Sequence, residues 1–266
     1  MYRKIYALLA FLLAAVMAKG QYTPMQRIDV RINVWQTRQA LIYVPEDVKP
    51  GQTYPLLVCF HGRSIAGNDP SKIFREGVTR QLKEGKKIEA VNKKDGKKYQ
   101  FIVLAPLAES WSFAPQDVSR MLDDVIGKYP IDTSRMYLTG YSAGGWSVES
   151  AKTQNKELSN RIAGCVTMSA ARVEPDHLKR YNLVANAGIH TWYFAGDKDD
   201  YFLNNAKEAI DSTNRYKPGL TKLTVYPGAH CCWHMFYNPK YRENGMNIYE
   251  WLLQFQSYNA TRKNRK

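Results

Sequence analysis

A serine between two glycines has the clearest chemistry in this sequence. The motif Gly140-Tyr141-Ser142-Ala143-Gly144 has the spacing G-x-S-x-G and directly follows the apolar run Met136–Thr139. Where such a motif joins a strand to a helix, a sharp turn raises the serine hydroxyl above the edge of the sheet. The start of the helix also presents free N–H groups and a positive dipole end to a developing oxyanion. The motif therefore predicts that Ser142 is a nucleophile.

A serine hydroxyl is a weak nucleophile, so it needs a base, and a third group must hold that base in place. On a sheet of this kind the acid and the histidine follow the serine in chain order, each on a loop after a later strand. The segment Gly196-Asp197-Lys198-Asp199-Asp200 follows the apolar run Thr191–Ala195, and Pro227-Gly228-Ala229-His230 follows Leu223–Tyr226. Both loops are expected at the carboxyl ends of their strands, where the ligands of open α/β sheets collect.

The apolar residues predict the scaffold that brings these loops together. Short, nearly continuous apolar runs are typical of parallel strands covered on both faces, and an alternating run is typical of a sheet edge with one wet face. Alternation of strands with helices predicts right-handed crossovers and a doubly wound α/β sheet. We expect eight strands, at Ile28–Val34, Gln39–Val44, Leu56–Phe60, Phe101–Ala105, Met136–Thr139, Ala163–Met168, Thr191–Ala195 and Leu223–Tyr226.

Helical periodicity lies between these runs. Apolar residues recur at helix spacing over Val118–Ile126, with Pro115 as the start, and over Ile248–Phe255. Residues 169–188 have room for one short helix over Pro175–Tyr181 but not for a large lid, so we expect an open site. The weaker helix candidates are Ile73–Leu82, Gly144–Lys152 and Ala206–Thr213.

Four motifs in this order resemble those of a known family. They are Phe60-His61-Gly62, Gly140–Gly145, Phe194–Asp200 and Tyr226–Trp233. Together they resemble bacterial α/β-hydrolase esterases of the polyhydroxybutyrate-depolymerase-like, feruloyl and acetylxylan esterase types, over roughly residues 44–253. The resemblance implies the α/β-hydrolase fold, with an eight-stranded, mostly parallel sheet, helices on both faces and no large lid. It also implies a Ser-His-Asp triad that uses no cofactor and no metal.

The resemblance assigns roles to individual residues. The family acid stands third after the glycine of its loop, which gives Asp199, with Asp200 as the alternative. Asp197 is expected to hydrogen-bond the turn itself. His230 is the base, and it takes the proton from Ser142 while Asp199 orients the imidazole.

The oxyanion hole is also assigned by resemblance. It consists of the backbone N–H groups of Arg63, after the His61-Gly62 turn, and of Ala143. The chain departs from the family pattern at two positions. Ala229 stands where the family has a glycine before the histidine, and the pair Cys231-Cys232 follows that histidine.

These assignments predict a serine carboxylic ester hydrolase that acts on acetyl or feruloyl esters of polysaccharides. Trp111 and Trp233 are expected in loops at the carboxyl edge, where an indole face stacks on a sugar or feruloyl ring, and Tyr141 is expected as a further substrate contact. The alternative for the two tryptophans is that they fill the rim of the core. Alternatives for the function are a serine peptidase of prolyl-oligopeptidase-like type, a polyester depolymerase, and a non-catalytic binding protein on a hydrolase scaffold.

The remaining histidines are interpreted as structural. His61 belongs to the oxyanion turn, His177 to a polar surface stretch and His190 to the packed start of a strand. His234 either lines the pocket or packs. The sequence His230-Cys231-Cys232-Trp233-His234 is not expected to bind a metal, because neighbouring residues converge poorly on one ion.

Four cysteines occur in the chain. Cys59 and Cys165 lie in apolar runs, which favours buried free thiols. A bridge between the adjacent residues Cys231 and Cys232 is not expected, because it would be strained. Export permits disulfides, but spacing alone leaves their pairing open.

The amino terminus predicts export. Met1-Tyr2-Arg3-Lys4 precedes an apolar run over residues 5–18, which is the order of a secretory signal peptide. We expect residues 1–20 to be this signal and residues 21–266 to be one α/β-hydrolase catalytic domain, secreted or periplasmic. A membrane anchor is the alternative, although the run is shorter than the ~20 residues that a spanning helix needs. No stable anchor is expected after cleavage.

The formal net charge is +14, and much of it is local. Such an excess favours an anionic surface or polymer as a partner, whereas the other interpretation is a solvated basic hairpin and a basic tail. No nucleic-acid-binding motif is present, so the expected partner is the ester substrate. The basic residues concerned are Lys83, Lys86, Lys87, Lys93, Lys94, Lys97, Lys98, Arg262, Lys263, Arg265 and Lys266.

Overall fold

The computed structural model describes residues 24–263. The expected signal peptide lies outside these residues, and so do the last three residues of the chain. The division into a signal and one catalytic domain therefore stays a prediction. In the part of the chain that the structure describes, no helix combines the length and apolarity that a membrane crossing requires.

The centre of the molecule is an eight-stranded sheet with the strand order β1-β2-β6-β3-β7-β8-β9-β10. The strand β2 pairs antiparallel with both β1 and β6, and the other pairings are parallel. A separate two-stranded hairpin contains β4 and β5. The strands are β1 Gln26–Arg31, β2 Thr37–Tyr43, β3 Tyr54–Phe60, β4 Glu89–Val91, β5 Lys98–Gln100, β6 Ile102–Pro106, β7 Ile131–Tyr141, β8 Gly164–Met168, β9 His190–Gly196 and β10 Thr221–Tyr226.

Helices cover both faces of this sheet. The α-helices are α1 Gly77–Lys83, α2 Pro115–Ile126, α3 Ala143–Lys152, α4 Lys156–Ser159, α5 Pro175–Leu178, α6 Tyr181–Ala187, α7 Asp200–Asn214, α8 Ile248–Leu252 and α9 Tyr258–Lys263. Short 3-10 helices occupy Arg63–Ile65, Pro70–Arg75 and Trp233–Met235. One apolar cluster joins the sheet to α2, α3, α6 and α7, and a second joins the opposite face to α1 and α8. Burial on both faces is why β3, β6 and β8 are almost entirely apolar.

The eight expected strands are confirmed, with differences at their ends. The first strand ends at Arg31, because Asn33 begins a turn and its side-chain oxygen accepts from the N–H groups of Trp35 and Gln36. The helix expected over Pro175–Tyr181 is two short helices, and the one expected over Ile73–Leu82 is a 3-10 turn followed by α1.

The small elements were only partly expected from the sequence. The basic stretch between Lys83 and Lys98 contains the small β4–β5 hairpin, as one of the two interpretations of its charge supposed. The helix α4 and the terminal helix α9 were not predicted, since both are too short to display a periodicity.

A buried ion pair fixes the carboxyl end of α3. The ammonium group of Lys152 is fully buried and lies 2.8 Å from Glu149 Oε1 and 2.8 Å from the hydroxyl of Tyr193. Lys152 also donates to Thr191 Oγ1 at 3.1 Å, and Tyr181 donates to Glu149 Oε2 at 2.5 Å. A buried charge pair is stable only when further hydrogen bonds satisfy its remaining donors and acceptors. This cluster therefore joins α3 to β9 and α6.

The thiols of Cys59 and Cys165 are free, as expected. Cys165 is fully buried and Cys59 is partly exposed. Burial raises the pKa of Cys165 to about 12 and also raises the pKa of Cys59, so both remain protonated at neutral pH. A protonated thiol is a poor nucleophile, which agrees with a packing role for these residues.

Candidate active site

The turn between β7 and α3 places Ser142 in an unusual backbone conformation. Its φ is 54° and its ψ is −120°, values that a residue other than glycine rarely adopts. Its N–H donates to the carbonyl of Met168 at 2.9 Å, and its carbonyl accepts from Ala171 N–H at 3.1 Å. Hydrogen bonds to the segment after β8 thus hold a strained turn that lifts the Ser142 side chain above the sheet.

Close packing around this turn requires residues without a side chain. A Cβ added at Gly140 or Gly144 would lie within 3.0 Å of backbone atoms, in the second case those of Phe60. A Cβ at Gly145 would lie 2.6 Å from the Cβ of Ala170. Such contacts are closer than real Cβ atoms show, so β7, α3 and the end of β3 pack backbone against backbone.

Ser142, His230 and Asp199 form one hydrogen-bonded chain. Ser142 Oγ lies 2.9 Å from His230 Nε2, and His230 Nδ1 lies 2.8 Å from Asp199 Oδ2. An ionised carboxylate only accepts hydrogen bonds, so Nδ1 carries the proton and Nε2 is the acceptor for the serine hydroxyl. The side chain of His230 is 31% exposed and that of Asp199 is 10% exposed. The base is therefore reachable from solvent, whereas the carboxylate is nearly enclosed.

The two loops that carry the acid and the base are hydrogen-bonded to each other. Asp197 Oδ1 accepts from Gly228 N–H at 2.8 Å, and the N–H of Lys198 donates to the carbonyl of Gly228 at 2.9 Å. The side chain of Asp197 thus bonds the neighbouring loop and not, as had been expected from the sequence, its own turn. Asp199 is the carboxylate on His230, while Asp200 is the exposed first residue of α7.

Two aromatic residues contact the imidazole ring of His230. The ring of Phe202 stacks on it at 3.9 Å between centroids, and the ring of Trp233 lies nearly perpendicular to it at 4.9 Å. Phe202 was not singled out in the sequence. Phe202 lies three residues after Asp199, at the start of α7. This helical spacing could have indicated that it lies on the same side of the helix as Asp199.

The expected oxyanion donors stand at helix starts. Ala143 is the first residue of α3, and Arg63 is the first residue of the 3-10 helix after β3. N–H groups in the first turn of a helix have no acceptor within that helix, so they remain available to an anion.

The ring of His61 fixes the turn that carries Arg63. Its Nε2 accepts from Ala108 N–H at 2.9 Å, so Nδ1 carries the proton and donates to the carbonyl of Gly62 at 2.9 Å. Burial lowers the pKa of His61, which favours this neutral form. The ring therefore joins the end of β3 to the loop after β6, which agrees with the structural interpretation.

The structure separates the three expected substrate contacts. Trp111 is 38% exposed, and the guanidinium of Arg63 lies 5.9 Å from its ring centroid. Trp233 is only 8% exposed and Tyr141 only 5% exposed, and their rings stack on each other at 4.8 Å. Their ring faces therefore cover each other and leave little surface for a substrate, and their contact with substrate stays a prediction. For Trp233 the alternative, that it fills the rim of the core, describes the structure better.

A contact distant in sequence explains why Trp233 is turned inwards. The 3-10 helix Trp233–Met235 is held by Glu76, whose Oε1 accepts from the backbone N–H of His234 and lies 2.9 Å from its Nδ1. The side chain of Gln81 also donates to the carbonyl of His234 at 2.9 Å. His234 therefore secures the segment after His230 to α1.

The pair Cys231-Cys232 corrects a further expectation. The two sulfur atoms are joined as a disulfide between adjacent residues, although such a bridge was not expected. Cys232 has a positive φ of 67°, in the left-handed region that residues other than glycine rarely adopt. In the part of the chain that the structure describes, no group of three or more His, Cys, Asp or Glu residues has an arrangement that could hold a metal ion.

The other two histidines lie outside the site. His177 is half-buried rather than free on the surface, and its Nδ1 lies 2.8 Å from Thr153 Oγ1. His190 packs as expected, with its ring stacked on Phe255 at 3.9 Å.

No protein-family model matches the chain, and neither does any curated protein sequence. Solved structures do match. A thermostable esterase superposes with a TM-score of 0.63 and 18% identity, over 88% of this chain and 63% of the esterase. A feruloyl esterase module from Clostridium thermocellum, complexed with sinapinate, superposes with a TM-score of 0.58 and 14% identity, over 88% of each chain.

An acylaminoacyl peptidase from Pyrococcus horikoshii superposes with a TM-score of 0.58 and 12% identity, over 86% of this chain and 44% of the peptidase. This chain thus spans less than two thirds of the thermostable esterase and less than half of the peptidase. The strand order and these superpositions define the α/β-hydrolase fold. Within that fold the similar structures are esterases and peptidases, which agrees with the resemblance of the four motifs.

Proposed function

We propose that this protein is a serine hydrolase that cleaves carboxylic esters by acyl transfer. The observation that carries the proposal is the hydrogen-bonded chain from Asp199 through His230 to Ser142, with the serine on a strained turn. Nucleophilic catalysis by serine requires this order of groups, in which the acid orients the base and the base activates the hydroxyl.

The first half of the proposed reaction forms an acyl-enzyme. Ser142 Oγ attacks the acyl carbon while His230 Nε2 accepts the hydroxyl proton, and Asp199 stabilises the resulting imidazolium. The backbone N–H groups of Arg63 and Ala143 stabilise the oxyanion of the tetrahedral intermediate. The intermediate then collapses, the bond to the alcohol oxygen breaks, and the alcohol leaves with the proton from His230.

The second half releases the acid. A water molecule attacks the acyl carbon, and His230 accepts a proton from that water. Collapse of the second tetrahedral intermediate breaks the bond to Ser142 Oγ, which regains its proton from His230. The products are a carboxylic acid and an alcohol, and the protein returns to its starting protonation state.

We further propose that the ester is an acetyl or feruloyl group on a polysaccharide. The part-exposed base suits a bulky substrate, and the exposed face of Trp111 suits a sugar or feruloyl ring. The similarity to a feruloyl esterase module supports this choice. Export of the protein, proposed from its first 20 residues, would bring it to such polymers. A peptidase is the second candidate, because an acylaminoacyl peptidase superposes equally well.

Two experiments test the proposal. A fluorophosphonate probe should label the wild-type protein but not the Ser142→Ala variant, and the lack of label on the wild type would contradict a serine hydrolase. A comparison of kcat/KM should then rank acetylated and feruloylated oligosaccharides above p-nitrophenyl acetate, 3-hydroxybutyrate oligomers and peptide amides. If oligosaccharide esters are cleaved no faster than p-nitrophenyl acetate, the polysaccharide substrate is wrong while the esterase remains.

A further inference from the structure

The turn between β1 and β2 exposes an unusual pair of apolar side chains. Trp35 is 91% exposed and Val34 is 68% exposed. Tryptophan is among the larger apolar side chains and is highly buried on average, so nearly full exposure in a folded protein is informative. No part of the reaction proposed above uses this turn.

The turn is rigid enough to present these side chains in one position. Asn33 Oδ1 accepts from the N–H groups of Trp35 and Gln36, both at 2.9 Å, and Asn33 Nδ2 donates to Gln36 Oε1 at 2.9 Å. Two backbone bonds to the carbonyl of Gln36, from Ile32 and Asn33, close the turn. A partner that binds the indole would therefore order little chain, and the entropy cost of binding would be small.

The turn lies at the end of the sheet where the parallel strands have their carboxyl ends, and Ser142 lies at the same end. Because β2 runs antiparallel to β6, its first residues stand beside the carboxyl end of β6. Two bonds hold the edge together there. Leu107 N–H donates to the carbonyl of Gln39 at 2.8 Å, and Arg38 pairs with Glu109 at 3.1 Å.

The distance to the nucleophile suits an extended polymer. The strands β6 and β3 lie between β2 and β7, so the turn is about three strand spacings, or about 15 Å, from Ser142 along the edge. The loops after β3 and β6 fill the interval and carry the Arg63 guanidinium and the exposed Trp111 ring. Aromatic faces therefore occur at intervals along one edge.

The size and surroundings of the patch favour a sugar over other partners. A stable dimer buries about 800 Å² per partner, which two side chains do not supply. Membrane insertion needs a larger apolar face, whereas Val34 and Trp35 in this turn are flanked by the polar Asn33 and Gln36 and by the exposed Arg31. A sugar ring needs only one flat apolar surface with hydrogen-bonding groups around it, and Trp35 with its neighbours provides that.

We propose that residues 33–36 are a distal subsite that binds the polysaccharide chain carrying the ester, with the indole of Trp35 stacked on a sugar ring remote from the scissile bond. This inference rests on the polysaccharide ester proposed above. A polymeric substrate would gain binding energy at this subsite, whereas a small ester is too short to contact it.

The test compares Trp35→Ala with Tyr216→Ala on polymeric and small substrates. Tyr216 is also exposed, at 50%, but it follows the carboxyl end of α7 at the opposite edge of the sheet. On acetylated xylan, Trp35→Ala should raise KM about fivefold with kcat unchanged, in proportion to the loss of one aromatic contact. Neither variant should alter the hydrolysis of p-nitrophenyl acetate or of acetylated xylobiose.

Binding is measured separately from turnover. In a Ser142→Ala background, co-sedimentation with insoluble acetylated xylan should be weakened about fivefold by Trp35→Ala and left unchanged by Tyr216→Ala. The wild type could release no acetate from xylan while Trp35→Ala still weakens xylan binding. That result would overturn the proposed ester substrate and leave the distal subsite supported.

Three outcomes overturn the subsite. The first is that Trp35→Ala binds xylan as well as the parent protein does, and the second is that the wild type does not bind xylan. The third is that Trp35→Ala changes only the binding to phosphatidylcholine vesicles or the oligomeric state. Thermal unfolding of both variants confirms that each remains folded.

Discussion

The helix α3 has a cluster of hydrogen-bonded polar and charged groups at each end, and the two clusters differ in access. At its amino end, Ser142 and His230 form a chain with Asp199 in which the histidine is 31% exposed. At its carboxyl end, Lys152 and Glu149 form an ion pair whose side chains are 0% and 4% exposed. The ten-residue helix separates them by about 15 Å.

The difference shows that burial, more than residue type, separates a reactive cluster from a structural one. Both clusters contain a base or ammonium group, a carboxylate and hydroxyls in hydrogen-bond contact. Only the first stands on a strained turn with solvent beside it, so a substrate can reach its nucleophile. The second is closed by α6 and β9, and every charge in it is used to hold those elements together.

The largest effect is expected at the amino end of the helix. Ser142→Ala should lower the hydrolysis of a short p-nitrophenyl ester by roughly 10⁴-fold or more, about 5 kcal/mol, because the nucleophile is lost. The thermal midpoint should stay within a few degrees of wild type, since the hydroxyl is part-exposed. Retention of a tenth of the wild-type rate would show that the cluster is not catalytic.

The second prediction compares the adjacent carboxylates Asp199 and Asp200. Asp199→Asn should lower kcat by about 10³- to 10⁴-fold, because the amide favours the wrong tautomer of His230. Asp200→Asn is the matched control, and its rate should stay close to wild type since Asp200 is exposed on α7. Steady-state kinetics on the same aryl ester gives both values, and a larger loss for Asp200→Asn would reverse the assignment.

At the carboxyl end the expected effect is on stability. Lys152→Met should destabilise the fold by about 3–5 kcal/mol, because it leaves Glu149 buried without its partner. The double variant Lys152→Met with Glu149→Gln removes both charges and should recover much of that loss. Urea unfolding measures both, and equal losses in the single and double variants would show that the cost is one of packing alone.

The smallest expected effect is the contribution of His190 to the pH dependence of folding stability. Burial, with Lys94 and Lys217 nearby, lowers the pKa of His190 from 6.5 to about 4. The unfolded chain therefore binds a proton at a higher pH than the folded chain, so stability falls as pH drops from about 6.5 towards 4 and is constant above that window for this group. His190→Phe keeps a ring against Phe255 and removes the titration.

The thermal midpoint at pH 7 and pH 5 measures this contribution. The drop between the two pH values should be smaller in His190→Phe than in wild type. An equal drop would assign the acid sensitivity of the protein to other groups.

The sequence predicted the strands and the order of the candidate triad because both depend on local pattern. Continuous apolar runs identify buried strands wherever they occur, and the glycines around Ser142 identify a turn that few other sequences form. The loops after two later strands supplied the candidates, and the resemblance to esterase motifs assigned Asp199 and His230 among them. The structure brings all three residues together.

The features that the sequence did not indicate are those that distant contacts decide. Nothing near Trp233 indicates that Glu76, more than 150 residues earlier, holds the following residue and turns the indole inwards. Glu149 and Lys152 have the spacing of a solvent-exposed pair on a helix, yet the packing of α6 over α3 buries them. The exposure of Trp35 likewise depends on which strands pair at the edge.

The glycines of the turn that carries Ser142 set a limit on how this protein can evolve. No side chain fits at Gly140, Gly144 or Gly145 without displacing backbone or the neighbouring Ala170. Substitutions there would be removed by selection for folding before any new activity was tested. Variation that changes the substrate must accumulate elsewhere, in the loop after β6 and in the β1–β2 turn, so libraries for altered specificity belong at those positions.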